Sequence, residues 1–241
     1  LAIKKEIGDQ KGMGSSYNNI GNIYKDQGNY EKALEYYSKS LAIKKELDDK
    51  KGMGSSYNNI GNIYWNQGNY EKALEYHSKS LAIEEELGDK RGISKSYNNI
   101  GVIYQNQGNY EKALEYYSKS IEIKKESDVL AGAEYFNIAL ILLEQNNLNE
   151  ALISFHKVEK INNETGNNKD QSQIYVYDGL SRTHFKLKNT KQALDYANIA
   201  INLSEKLNYS FGKSFSYNTA AEIYKSIGKT KKSIEYANKS L

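Results

Sequence analysis

The chain is built on a sequence unit that recurs every 40 residues. The segment Tyr17–Tyr24 reads YNNIGNIY, and it returns almost verbatim from Tyr57 and again from Tyr97. Gly21 and Gly61, which occupy the same place in two successive copies, are 40 residues apart. A fixed period of about 20–50 residues is the signature of a repeat array, in which each unit contacts only its neighbours.

Each copy contains two helical patterns. Residues Tyr17, Ile20, Gly21 and Tyr24 have the spacing i, i+3, i+4 and i+7, which predicts one face of a first helix. Gly28 is predicted to end that helix, and Asn29 is a favourable N-cap for a second one. The second helix is predicted to present one apolar face, formed by Tyr30, Ala33, Leu34, Tyr37 and Leu41.

Small residues indicate where the two helices of a unit cross. Gly21 within a helix costs about 1 kcal/mol relative to Ala, which is acceptable where another helix packs closely against it. Ala33 is small in the same way, so the crossing is predicted where Gly21 meets Ala33.

These patterns predict an all-α solenoid of antiparallel helix pairs over residues 1–241, read as one array without a domain boundary. Residues 1–8 match the end of a second helix. Residues 12–48, 52–88 and 92–127 are regular repeats, and residues 130–162, 170–206 and 210–241 are divergent ones. The polar stretch Asn162–Gln173 holds extra residues and is predicted to be a hinge or mobile loop.

The unit resembles the tetratricopeptide repeat. The residues that carry the resemblance in the first copy are Tyr17, Ile20, Gly21, Tyr24, Gly28, Ala33, Tyr37 and Ser40. The longer unit and the Asn pair are most similar to the kinesin light chain subclass, which is also common in bacterial signalling proteins. The family's Pro at the end of the second helix is missing, because the chain has no Pro. The resemblance implies a right-handed superhelix whose first helices line a concave surface that binds peptides or proteins.

Composition excludes several other classes. The net charge is only +3, with both signs interspersed, which is typical of a solvated surface and not of a nucleic-acid site. The sequence contains no apolar run of about 18 residues, so no membrane-spanning helix is predicted. The opening segment lacks the apolar core of a signal peptide. The chain has no Cys, which excludes disulfides and fits a reducing compartment, although it also fits many secreted proteins. We therefore expect a cytoplasmic protein without membrane insertion.

Candidate catalytic residues are few. His77, His156 and His184 fall at unrelated repeat positions, so we expect them to be structural and not to converge on a metal or a nucleophile. The run Glu84–Glu86 is interpreted as a solvated helix end. The sequence therefore predicts no enzyme activity and no cofactor.

The opposite side of the first helices carries an amide ladder, predicted to line the concave face. Asn offers donors and an acceptor, so it can pair with the backbone of an extended peptide. Trp65 could anchor an apolar or cationic group. The predicted partner-binding residues are Asn18, Asn19, Asn22, Asn58, Asn59, Asn62, Trp65, Lys95, Asn98, Asn99 and Gln105. The alternative is that near-identical repeats copy every residue, whether useful or not.

Some tetratricopeptide proteins grip a peptide's C-terminal carboxylate with a Lys/Asn clamp. Asn22, Asn59 and Lys95 match three of its positions. Asn18 and Asn99 stand where the clamp has a Lys and an Arg, and the loss of two cations argues against that function.

Two functions of different classes remain open. The first is a noncatalytic scaffold that binds a peptide or protein on the concave face. The second is a sensory input domain of a bacterial signalling protein, such as a histidine kinase, a cyclase or a transcription regulator, whose output domain lies outside these residues. The apolar residues Leu1–Ile3 at one end and Ile234 and Leu241 at the other also predict end-to-end self-association.

Overall fold

The computed structural model describes residues 8–127, 129–167 and 170–240, and these residues form helices joined by short turns. The helices are α1 (Gln10–Asp26), α2 (Tyr30–Glu46), α3 (Lys50–Asn66), α4 (Tyr70–Glu86), α5 (Lys90–Asn106), α6 (Tyr110–Glu126), α7 (Gly132–Glu144), α8 (Leu148–Thr165), α9 (Gln171–Lys186), α10 (Thr190–Lys206), α11 (Ser210–Ser226) and α12 (Thr230–Lys239). No strand occurs in the described ranges, so the predicted all-α class is confirmed.

The chain divides into two compact units. The N-terminal unit spans residues 1–129 and holds the three regular repeats, and the C-terminal unit spans residues 130–241 and holds the divergent ones. Residues 1–7, the expected end of a preceding repeat, lie outside the described residues.

Side-chain caps set the helix starts in the N-terminal unit. Asp9 accepts a hydrogen bond from the backbone N–H of Gly12, at 2.8 Å, and Asp49 and Asp89 do the same for α3 and α5. Asn29 caps α2 as predicted, accepting from the N–H of Lys32 at 3.2 Å. Gly28 ends α1 with a φ of +72°, a left-handed conformation that glycine adopts without strain. The Asp caps recur every 40 residues, so the same period could have predicted them.

The two helices of a repeat cross where a glycine faces an aromatic ring. A Cβ atom added to Gly21 would lie 2.6 Å from Cε1 of Tyr37, and one added to Gly61 would lie 2.9 Å from Cδ2 of His77. The prediction that Gly21 meets Ala33 is therefore wrong. The Tyr37 ring, one helical turn further along α2, reaches across the crossing and covers the glycine, while Ala33 is buried beside it.

The first helices have a second buried face that the sequence pattern did not reveal. Ile60 and Ile63 of α3 pack in one cluster with Ala33, Tyr37 and Leu41 of the preceding repeat. Ile63 is fully buried, whereas the equivalent Ile23 in the first copy is 56% exposed. Helix α3 therefore packs on its own partner helix, α4, and on α2 of the repeat before it.

The predicted solvated face at Glu84–Glu86 is wrong for Glu84. Its side chain is buried and accepts hydrogen bonds from the hydroxyls of Ser80 and Ser96, at 2.9 and 2.6 Å. Glu84 replaces Lys44 of the first copy, whose ammonium donates to Ser56 at 2.9 Å. The Ser96 hydroxyl, together with the Ser80 hydroxyl, whose one proton is shared with the backbone oxygen of Gly54, replaces part of the water lost around the carboxylate.

The C-terminal unit buries a core between α7, α8 and α9. Leu143, Phe155, Val176 and Leu180 belong to it. The expected hinge Asn162–Gln173 is α-helical at residues 162–165 and 171–173, and its ends are joined by a 2.6 Å hydrogen bond from Asn162 Nδ2 to Gln173 Oε1. The loop is therefore shorter than predicted, and a hinge at its centre stays a prediction, because residues 168 and 169 lie outside the described residues.

We predict that Gly61→Leu lowers the free energy of unfolding by about 2 kcal/mol or more, because the new side chain would have to displace the buried His77 ring. Gly54→Ala on the same helix is the matched control. Its Cβ would lie 3.6 Å from the nearest side-chain atom, an ordinary contact, and Ala favours the helix by about 1 kcal/mol. Thermal melts compare the two. Equal midpoints for the two variants would contradict a close crossing at Gly61.

Candidate functional site

The amide ladder of the N-terminal unit is partly an internal bonding system. The Nδ2 group of Asn59 donates to Oδ1 of Asn18 at 2.9 Å, and that of Asn99 donates to Oδ1 of Asn58 at 3.1 Å. Each bond joins the first helices of two adjacent repeats. Asn58 is buried as a result, although the sequence placed it on an open face. These four amides link the repeats to one another.

The C-terminal unit uses the same two repeat positions with different residues. The hydroxyl of Thr219 donates to Oδ1 of Asp178 at 2.6 Å, linking α9 to α11. Burial raises the pKa of Asp178 to about 6, against the lowering effects of this hydrogen bond and of Arg182. An inter-repeat bond is therefore retained where the residues differ.

The other predicted residues have varied surroundings. Asn22 accepts the phenolic hydroxyl of Tyr37 at 2.7 Å, and Gln105 accepts that of Tyr117 at the same distance. Asn98 is half-buried, and its Oδ1 atom has no hydrogen-bond partner. The side chains of Asn19 and Lys95 are exposed.

A cavity of about 210 Å³ lies at the second repeat, between α3, α4 and α5. Its lining joins amides, an indole and aliphatic groups: Asn62, Trp65, His77, Asn99, Val102 and Ile103. Three of these residues, Asn62, Trp65 and Asn99, were predicted as partner-binding. Trp65 is 37% exposed. The structure thus brings these three residues together around one concave feature.

His77 lines the cavity, although the sequence predicted only a structural role for it in the core. Its ring is 1% exposed, as expected for a core residue, and its Nδ1 atom has no hydrogen-bond partner. Burial, helped by the charge of Lys95, lowers the pKa of His77 to about 4, so the imidazole is neutral at pH 7. The available signal was that copies one and three carry Tyr37 and Tyr117 where the second carries His77.

The histidines of the C-terminal unit are closer together than the sequence predicted. His184 stacks on Tyr196, with 5.5 Å between ring centroids, and His156 lies 6.4 Å from the same ring. His156 also pairs with Glu159 at 3.0 Å. Within the described ranges, no group of three or more His, Cys, Asp or Glu side chains has a geometry that could hold a metal ion.

A larger apolar cavity, of about 640 Å³, lies within the C-terminal unit between α7, α8 and α9. Phe136, Val158 and Ile161 contribute to its lining, with Tyr175 and Tyr209 at one side. The two phenolic oxygens are 2.6 Å apart and hydrogen-bonded to each other. Sequence periodicity could not have predicted this cavity. Its shape depends on how α7, α8 and α9 pack, and these helices do not repeat the sequence of the regular units.

Helix pairs that recur with the 40-residue sequence unit define a helical-repeat protein. The tetratricopeptide repeat pattern matches residues 12–65, 52–126, 135–165 and 216–241. These matches cover more than half of the sequence. The chain belongs to the tetratricopeptide repeat family.

Solved structures with the same fold come from diverse sources. BtubC (BKLC) from P. vanneervenii has a TM-score of 0.78 and 15% identity, over 88% of this chain and 89% of that chain. The signal transduction ATPase PH0952 from Pyrococcus horikoshii, described as having a tetratricopeptide repeat sensor, has a TM-score of 0.81 and 21% identity, over 94% of this chain and 36% of that one. The putative kinesin light chain repeats of P. anserina have a TM-score of 0.65 and 16% identity, over 80% of this chain and 95% of that chain.

No curated protein sequence is significantly similar to the chain. Among the described residues, none of the helices is long and apolar enough to cross a membrane.

We predict that Asp178→Asn stabilises the protein at pH 7 by about 2 kcal/mol, because a raised pKa means that the fold disfavours the carboxylate. The contribution of Asp178 to stability is largest below its unfolded pKa of 3.8 and is lost as the pH rises through about 6. The variant carries the residue found at Asn18 and Asn58, and it should show no gain at pH 4. Urea unfolding at both pH values measures this, with the exposed Asp195→Asn as control. Equal stability of Asp178→Asn and the wild type at pH 7 would refute it.

Proposed function

We propose that the N-terminal unit is a noncatalytic binding module that holds a peptide or a partner protein on the face of its first helices. The observation that carries the proposal is the cavity at the second repeat, where Trp65, Asn62 and Asn99 meet. A partly exposed indole beside amide groups offers apolar contact area and hydrogen-bonding groups in one place.

The bonding pattern narrows the contact surface proposed from the sequence. Asn18, Asn58, Asn59 and Asn99 already bond to one another, so their capacity for a partner is reduced. Asn62 gives only one long hydrogen bond, of 3.4 Å, to Asn58, and Asn19 and Lys95 are exposed. We therefore propose Asn62 and Trp65 as the centre of the contact, with Asn19 and Lys95 toward its edges.

A sensory role is the second candidate. The similarity to PH0952, a signal transduction ATPase with a tetratricopeptide repeat sensor, favours it, since the chain spans 36% of that protein. In this reading the repeats bind a ligand and bias an output domain encoded elsewhere in the same gene. The full open reading frame tests it. A kinase, cyclase, ATPase or DNA-binding domain in the frame would support the sensory role, and a frame of repeats alone would argue for a scaffold.

Cytoplasmic location and end-to-end self-association stay predictions. Ile234 on α12 is 57% exposed, which fits the proposed contact at that end, whereas Leu1–Ile3 and Leu241 lie outside the described residues. Cell fractionation tests the cytoplasmic location, and light scattering at increasing protein concentration tests the self-association.

We predict that the double variant Asn62→Ala/Trp65→Ala binds a partner captured by the wild-type protein with an affinity about tenfold or more lower than that of the wild type. The reason is that buried Trp side chains contribute much of the binding energy of interfaces. Helical content, measured by circular dichroism, should not change, because Trp65 is partly exposed and Asn62 makes only a long bond. Calorimetric titration gives the affinity.

Lys72→Glu is the control for this experiment. Lys72 is an exposed residue of α4 and does not line the cavity. The Lys72→Glu variant should therefore bind the partner with wild-type affinity. Full binding by the double variant together with loss of binding in Lys72→Glu would place the contact on another face and refute the proposal.

A further inference from the structure

The three regular repeats act as internal controls for one another. At the ring position of the helix crossing they carry Tyr37, His77 and Tyr117. The phenol of Tyr37 reaches Oδ1 of Asn22, and that of Tyr117 reaches Oε1 of Gln105. In both copies the first helix therefore supplies an amide oxygen that accepts a phenolic hydroxyl.

The second repeat keeps the acceptor and lacks the phenol. Asn62 stands where Asn22 does, but the shorter ring of His77 replaces that of Tyr37. The amide nitrogen of Asn62 points to Asn58, and no described residue donates to its Oδ1 atom. The cavity lies at this place, in contact with both Asn62 and His77.

The remaining walls suit a flat apolar ring. Trp65 takes the place of Lys25 and Gln105, and Val102 takes the place of Asn22 and Asn62. Both exchanges replace a polar or charged side chain with an apolar one, and both replacements line the cavity, together with the buried Ile103. The three regular repeats are otherwise nearly identical in sequence, and three of their differences, His77, Trp65 and Val102, line the same cavity.

We propose that this cavity receives a tyrosine side chain of the partner, whose hydroxyl donates to Oδ1 of Asn62. The His77 ring fills the place next to Gly61 that the Tyr37 and Tyr117 rings fill in the neighbouring repeats, so the incoming ring lies beyond it and its hydroxyl replaces the hydroxyl that Tyr37 supplies to Asn22. Its faces contact Trp65, Val102 and Ile103. The neutral imidazole of His77 forms the floor, and a neutral floor places no charge next to the incoming ring. This assignment rests on the proposed binding function of the same face and adds the chemical class of the group that is bound.

Small phenols test the assignment without knowledge of the partner. p-Cresol is the side chain of tyrosine, and toluene is its analogue without the hydroxyl. Trp65 is the only Trp of the chain, so its fluorescence reports the cavity directly. We expect p-cresol to bind saturably with a dissociation constant on the order of 1 mM, which is typical of so small a ligand. Toluene should bind about fivefold more weakly, the ratio expected for one neutral hydrogen bond.

Two variants taken from the chain's own repeats serve as controls. His77→Tyr installs the residue of the other two copies, fills the cavity and should abolish p-cresol binding. Asn62→Val installs the residue found at Val102, and should bind p-cresol and toluene alike. The indole N–H signal in NMR spectra shows whether each variant is folded. Absence of saturable binding to the wild type, equal binding by His77→Tyr, or equal affinity of the wild type for the two ligands would overturn the assignment.

The outcome is separable from that of the proposed function. If a captured partner needs Asn62 and Trp65 but p-cresol does not bind, only the tyrosine assignment fails. If p-cresol binds as described but the captured partner tolerates loss of both residues, the assignment of the cavity stands and the partner surface lies elsewhere.

Discussion

The contact between a glycine on the first helix and an aromatic ring on the second is the constraint on which each regular repeat depends. The ring lies so close that a Cβ atom on the glycine would overlap it, at 2.6 Å for Gly21 and 2.7 Å for Gly101. Close approach of the two helices buries Ala33 and its equivalents and fixes how far the ring extends beyond the crossing. The size of that ring then decides whether the groove beyond it is filled or open.

Near identity of the repeats makes their differences informative. A residue copied three times says little, because duplication preserves useful and neutral residues alike. His77, Trp65 and Val102 break the pattern, and all three line one cavity. The repetition of the Asn pairs, in contrast, is explained by the hydrogen bonds that they form between adjacent repeats. The same two positions hold Asp178 and Thr219 in the divergent unit, and these residues are also hydrogen-bonded to each other.

The sequence predicted the helices and their pairing because these follow from local periodicity and caps. It failed where a residue's neighbour comes from another helix. The pattern put Ala33 on Gly21, placed Asn58 on an open face and left Glu84 in solvent, whereas packing between helices places Tyr37 on Gly21 and buries the other two. The cavity was missed because one sequence shows which side chain is shorter but not what fills the space beyond it.

The central claim is that a shorter ring at the helix crossing opens a phenol-sized site beside an amide acceptor. A crystal structure of the Tyr37→His variant grown with p-cresol tests it most directly, since this substitution transplants the second repeat's residue into the first. The account predicts p-cresol beside Asn62, as in the wild type, and at lower occupancy beside Asn22, whose Oδ1 has lost the Tyr37 hydroxyl but which has Lys25 and Asn62 nearby where the second repeat has Trp65 and Val102. Density for p-cresol at neither amide would contradict the account.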